Sequence, residues 1–265
     1  MMRAVLLLMA VAAGAPAEES KSFPSSTAKL SQAEEIAIVK AGCDGNVTVD
    51  QYKNTTCSAC PEEYPGGWRL GSVQFGHFKE SAIENAFVEV LGCGTSTINQ
   101  AAAMLLEKKN GAWRRDAYFQ QKLGGTCRSV KRKDGRELLV CLGGWTWSGE
   151  LHESIYVLDF KKEALMTELI NTSDITGMGC MAPSYQADQI ERVSFADKNG
   201  DGLEDLTVFA TMSRGNIPQK QREQCPAEIR PSNLQQRTYQ LVFYFDGEAF
   251  QPGPATKKAV SLFQN

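Results

Sequence analysis

Ile190-Glu191-Arg192-Val193-Ser194-Phe195, then Asp197-Lys198-Asn199-Gly200-Asp201-Gly202-Leu203-Glu204-Asp205, then Leu206-Thr207-Val208-Phe209-Ala210: this run decides how the chain folds. Two segments rich in β-branched and aromatic residues flank a polar, glycine-containing turn, the pattern of an antiparallel strand pair. A third strand follows at Tyr239 to Phe245, an Asp246-Gly247 turn closes it, and Phe250 opens a fourth.

The same plan recurs twice upstream. Leu70 to Phe78, Ala86 to Leu91 and Ala103 to Glu107 lead through Lys109-Asn110-Gly111 to Trp113; Cys127 to Val130, Leu138 to Leu142 and Ser154 to Leu158 lead through Lys161-Lys162-Glu163 to Leu165. Asn85 to Trp113 and Glu137 to Leu165 each span 28 positions, and Asp205 to Phe250 spans 45 because of a polar insertion around Ser213 to Arg237. Equal spans with length differences confined to polar stretches are what stacked repeats produce. The expectation is an all-β fold of repeated four-stranded, propeller-like units at about 68–118, 125–170 and 188–255, within one domain over 31–265. Three units are fewer than a closed propeller has blades. Either Gly42 to Gly67 and Lys258 to Phe263 supply a degenerate fourth, or disulfides hold a smaller β assembly.

The acidic loop carries the most specific chemistry. Asp197, Asn199 and Asp201 place oxygens at alternate positions, Gly202 permits a sharp turn, Asp205 returns at the ninth position, and the Leu203 carbonyl adds a backbone oxygen. Such a set suits calcium, which takes six to eight oxygens at about 2.3–2.6 Å. An EF-hand needs a bidentate Glu at position twelve and flanking helices; Val208 stands there, between strands. Set between strands, the loop resembles the calcium loops of FG-GAP repeats, found in the propeller of integrin alpha subunits and in many exported bacterial proteins. The resemblance implies side-chain ligation by Asp197, Asn199, Asp201 and Asp205 and backbone ligation by Leu203. The corresponding turn of the first unit, Phe78 to Asn85, lacks the Asp-Gly core, and Asp134-Gly135-Arg136-Glu137 in the second is truncated.

The chain opens with Arg3, an apolar run from Ala4 to Ala13 and Ala15-Pro16-Ala17, the three parts of a cleavable signal over 1–17. That run is about half of the ~20 residues a membrane-crossing helix needs, and no other stretch approaches that length. A Ser-, Thr- and Pro-rich stretch over 18–30 reads as disordered. Ser31 and Glu34 then have the spacing of a capping box for a short helix ending at Gly42. Export makes the even set of Cys43, Cys57, Cys60, Cys93, Cys127, Cys141, Cys180 and Cys225 read as structural disulfides in an extracytoplasmic compartment, with 105 connectivities open. Cys57-Ser58-Ala59-Cys60 has redox spacing but a loop context, without the helix N-terminus that activates a thiolate.

A net charge of -3 gives no argument for nucleic acid. With His77 and His152 alone, His-rich zinc sites are excluded, and no nucleophile elbow is present. Trp145 and Trp147, in a Gly-rich stretch that reads as a loop, and Arg214 and Arg222 in the insertion are the candidate ligand surface. The leading reading is an exported, monomeric, non-catalytic binding or structural protein with one structural calcium and a protein or carbohydrate partner. A secreted hydrolase on the same scaffold and a secreted inhibitor or regulator are the alternatives.

Overall fold

The fold is taken from a computed structural model, which describes residues 23, 28–61, 66–93, 102–119, 125–161, 165–182, 184–225, 229 and 231–263. The signal reading at 1–17 lies outside these. Helix α1 (Gln32–Gly42) is followed by fourteen antiparallel strands in two sheets. The first holds β1 (Val47–Val49), β2 (Thr55–Cys57), β3 (Trp68–Gly76), β4 (Asn85–Leu91), β5 (Ala102–Lys109) and β6 (Ala112–Phe119) in chain order. The second holds β7 (Thr126–Lys131), β8 (Glu137–Trp147), β9 (Glu150–Asp159), β10 (Leu165–Asp174), β11 (Tyr185–Ala196), β12 (Asp205–Asn216), β13 (Ser232–Phe245) and β14 (Phe250–Pro252), again in chain order. Helices α2 (Gln219–Gln224) and α3 (Pro254–Phe263) complete the elements used below.

Strands β3–β6, β7–β10 and β11–β14 are three successive four-stranded meanders at the positions the periodicity indicates. They do not make three separate sheets. The second and third join where Asp174 pairs with Ala187, and the joint sheet curls into a half-barrel. Neither expected source supplies a fourth unit: β1 and β2 merely extend the first sheet through Thr56–Arg69 and Cys57–Trp68, and Lys258 to Phe263 is helical.

Burial on both faces explains the unbroken apolar runs of the central strands. Ala102, Met104 and Leu106 face α1, whose Ile38 and Val39 are buried against them. Ala103 and Leu105 point the other way, with Phe78 and Phe87, onto Leu139, Cys141, Tyr156 and Leu158 of the second meander. Phe160 fills the middle of that interface, its ring 5.9 Å from those of Phe87 and Phe119. The opposite face of the second meander, carrying Leu138, Val140, Ile155 and Ile170, shares a core with Leu206, Val208, Leu241, Phe243 and Phe245 of the third. Helix α3 packs on β10 and β13 and buries Phe263 there. Fully burying one such side chain contributes roughly 1.5–3 kcal/mol.

The stack ends differently on its two sides. At one end α1 covers the first meander, entered through the expected box: the Glu34 N–H donates to Ser31 Oγ and the Ser31 N–H to Glu34 Oε2. At the other, the outer face of the third meander mixes Thr207, Thr211, Thr238 and Gln240 with Phe209, Val242 and Tyr244; the Thr211 and Thr238 hydroxyls are 3.1 Å apart, and the Arg192 guanidinium lies 4.2 Å from the Phe209 ring centroid.

Four disulfides staple this arrangement: Cys43–Cys57, Cys60–Cys93, Cys127–Cys141 and Cys180–Cys225. Cys57 and Cys60 therefore belong to different bonds. Each bond constrains the unfolded chain, by about 2–4 kcal/mol in typical cases. The expected disorder over 18–30 does not hold at its described positions. Phe23 is buried in the core of the second and third meanders, and the Ala28 N–H donates to Val73 O.

Candidate functional site

The β11–β12 loop holds Asp197, Asn199, Asp201 and Leu203 between the ends of two long strands, and Asp205 is the first residue of β12. Gly200 and Gly202 have φ of 80° and 84°, the left-handed region that a side chain would strain, so the tight return needs these two glycines. Each acidic or amide side chain bonds the loop's own backbone. Asp197 accepts from the Gly200 and Gly202 N–H groups, Asn199 from Asp201, and Asp201 from Leu203. The Gly202 N–H holds the Asp197 carboxyl below its ordinary range, outweighing the opposing effect of desolvation, and the Gly200 N–H adds to it. Asp205 is wholly buried, its Oδ1 accepting from the Phe245 N–H at 2.8 Å and its Oδ2 from the Lys198 N–H at 2.8 Å. Leu203 packs its side chain on the core.

In kind and number these oxygens suit a hard cation. As placed, they address backbone amides and do not converge. Among the described residues no three His, Cys, Asp or Glu side chains form a group that could hold a metal ion.

The candidate ligand surface divides. Trp145 lies within β8 and not in a loop, because the hairpin turns only at Ser148-Gly149, between the paired Trp147 and Glu150. Its ring stacks on His152 across the hairpin at 3.8 Å, and His152 Nε2 is 3.1 Å from Glu150 Oε2. Trp147 belongs to the same strand; its side chain is outside the described positions. Arg214 is committed to the fold, its guanidinium forking onto both oxygens of Asp188. Burial pushes the Asp188 carboxyl up despite that partner. Arg222 is exposed on α2. His77 Nδ1 lies 3.0 Å from Ile83 O, and its own carbonyl accepts from the Glu137 N–H, so this histidine is structural.

Two further groups stand at opposite ends of the strands. Near the acidic loop, the buried Arg132 and Arg136 both bond Asp159, and Arg136 also bonds Asp134. Lys133 N–H reaches Gly247 O, so the β7–β8 turn touches both neighbouring meanders. At the far end, the β10–β11 connection contains the short helical segment Thr176–Met181, tied to the end of α2 by Cys180–Cys225. Met181, Leu151 and Leu234 are 76%, 40% and 51% exposed there. The strand registers put these connections together, since Leu151 pairs with Asp174, Tyr185 with Gly215, and Asn216 with Ser232. The Arg132–Asp159 pairing had no signal in the sequence beyond a basic run that reads as a turn.

No protein-family model, no curated protein and no solved structure matches the chain. Four disulfides point to an oxidising, extracytoplasmic environment. No helix among the described residues is long and apolar enough to cross a membrane.

Proposed function

We propose that this chain is a non-catalytic binding or structural protein of the extracytoplasmic space. Its meanders, related to propeller blades of the FG-GAP kind, form the scaffold, and the connections at one end contact a protein or carbohydrate partner. The observation that carries this reading is the exposed Met181 on a connection stapled to α2 by Cys180–Cys225, at the end of the sheet where Leu151 of β9 and Leu234 of β13 are exposed as well. Apolar side chains held on stapled connections are a common form of contact surface. Met181→Glu and Leu234→Glu are expected to melt like the parent and to lose whatever glycan or exported protein the parent retains on an array or by co-purification. A partner retained equally by both variants moves the contact elsewhere.

A structural calcium at the acidic loop belongs to the same proposal. It is supported by the donor set Asp197, Asn199, Asp201, Asp205 and the Leu203 carbonyl, and by the paired left-handed glycines. Bound calcium would draw these oxygens together and fix the β11–β12 turn. The chain beginning at Glu18 is expected to melt several degrees lower in chelator than in millimolar calcium. An unchanged transition with no retained calcium would remove the metal from the proposal and leave the contact surface standing.

A further inference from the structure

The larger sheet ends on β14, which is only three residues long and pairs with Phe243, Tyr244 and Phe245 of β13. Upstream of that contact β13 is an open edge. Its ladder to β12 runs from Phe243 back to Gln235 without a break, so the backbone there keeps strand spacing. Two contacts fix which residues look outward. On the β14 side, Val242 O accepts from the Gly253 N–H and the Val242 N–H donates to Thr256 Oγ1; on the β12 side, the Phe245 N–H donates to Asp205. Alternation then turns the N–H and C=O groups of Leu234, Gln236, Thr238 and Gln240 away from the sheet. Among the described residues none of these outward groups has a backbone partner. Asn233 to Thr238 are exposed without interruption, so neither face of this stretch is covered. Sheets ordinarily blunt such an edge with charge or proline. The outer strands β6 and β7 carry Arg114, Arg115 and Asp116, and Arg128 and Lys131. Asn233 to Leu241 has Arg237 as its one charge and no proline.

We infer that this edge pairs antiparallel with the same edge of a second copy, about a two-fold axis at Gln236, so that the working unit is a dimer and not the monomer expected from the sequence. Free donors and acceptors at strand spacing take another extended backbone. Free length and charge select a copy of this chain. The open stretch lies between Pro231, which has no N–H, and Val242, whose N–H and C=O are already taken, and Gln236 stands at its middle. Pairing about Gln236 sets Leu234 against Thr238, Gln236 against itself and Thr238 against Leu234. Outward groups meet outward groups throughout, giving about six backbone hydrogen bonds. Arg237 then meets the uncharged Gln235 of the copy. An axis at Arg237 would instead set two guanidiniums face to face, and one at Thr238 would run Leu234 against the occupied Val242. The contact is isologous and closes on itself, so the sheet continues through the axis and stops at two chains. It rests neither on calcium nor on a partner at Met181.

The test is analytical ultracentrifugation of the chain beginning at Glu18. The parent is expected to sediment with twice the monomer mass at about 100 µM, a concentration suited to a small interface. Gln236 is exposed in the single chain. Gln236→Glu and Gln236→Lys are each expected to halve the mass, by setting like charges together at the axis, and an equimolar mixture of the two is expected to restore it. Met181→Glu is expected to remain dimeric. A monomeric parent, or a dimer that both charge variants retain, overturns the pairing. A mixture that stays monomeric overturns the axis at Gln236, and a dimer that Met181→Glu dissolves moves the contact to the apolar group at the far end. Should the charge variants fail to fold, amide exchange of the parent decides. Slower exchange at Gln236 and Thr238 in concentrated than in dilute protein is the supporting result, and exchange independent of concentration is the opposing one.

Discussion

Asn85 in the first meander and Asp205 in the third occupy the same place, the first residue of the second strand, and both are wholly buried. Each closes the preceding turn by accepting backbone N–H groups. Asn85 Oδ1 takes those of Phe78 and Lys79, while its amide nitrogen donates to Leu106 O. Asp205 instead meets an N–H on each oxygen, from Phe245 and Lys198. One site offers donors on one side and a carbonyl on the other, which an amide satisfies. The other offers donors on both sides, which calls for two acceptor oxygens. The carboxylate at Asp205 thus has a reason in the fold whether or not calcium is bound.

The harshest way to probe this difference is to delete each group. Asp205→Ala strands the buried Phe245 N–H and the partly buried Lys198 N–H, both bonded to a carboxylate, and is expected to cost about 3 kcal/mol or more. Asn85→Ala also releases one buried and one partly buried N–H, but from a neutral amide, and is expected to cost about 2 kcal/mol. Urea denaturation of both variants measures this; equal costs would mean that the two latches do not differ as described. Exchange of the two side chains sharpens the point with smaller effects. Asp205→Asn turns an NH2 toward an N–H, Asn85→Asp turns a carboxylate toward the Leu106 carbonyl, and each should cost roughly 1–3 kcal/mol. If either exchange is neutral, the amide-or-carboxylate logic fails at that site.

The smallest expected effect is on acid stability. The Asp197 carboxyl, lowered first by the Gly202 N–H, contributes stability present above the unfolded-state value of about 3.9 and lost as pH falls through its lower folded-state value. Asp246, lowered first by the Ala249 N–H, acts in the same sense. Asp188 acts oppositely, since its burial-raised value gives stability that is lost as pH rises through it. The melting temperature of Asp197→Asn should consequently fall less steeply than the parent's below pH 4. Parallel profiles would show that the loop's hydrogen bonds contribute nothing to acid stability.

The meanders were readable because their strands are buried on one or both faces, so apolar period and turn chemistry agree. Asn110-Gly111 is a two-residue hairpin with both φ values positive, as its sequence demands. The capping box at Ser31 was equally local. What escaped the sequence was set by distant partners. Gly143 and Gly144 read as a loop around Trp145, yet Gly144 is a strand glycine whose missing Cβ would lie 2.7 Å from His152 O. Lys258 to Phe263 reads as a strand, while Pro254 at the first helical position and the spacing of Ala259, Val260 and Phe263 suit a helix on β13. Arg214 looked available because Asp188, which holds it, lies 26 positions earlier. The disulfide partners had no local signal at all.

Phe23 and Phe263, near the two ends of the chain, are buried in one and the same core. Tension applied between the termini would therefore load the contacts of these two side chains first, with Phe23 drawn from Phe195 and Phe263 from Tyr239. The first meander, which holds the next stretch of chain through the Ala28–Val73 hydrogen bond and α1, would take the load once Phe23 had pulled free, with Cys43–Cys57 and Cys60–Cys93 limiting how far it can open. A molecule tethered to a surface by either end would thus yield at its seam and keep its sheets.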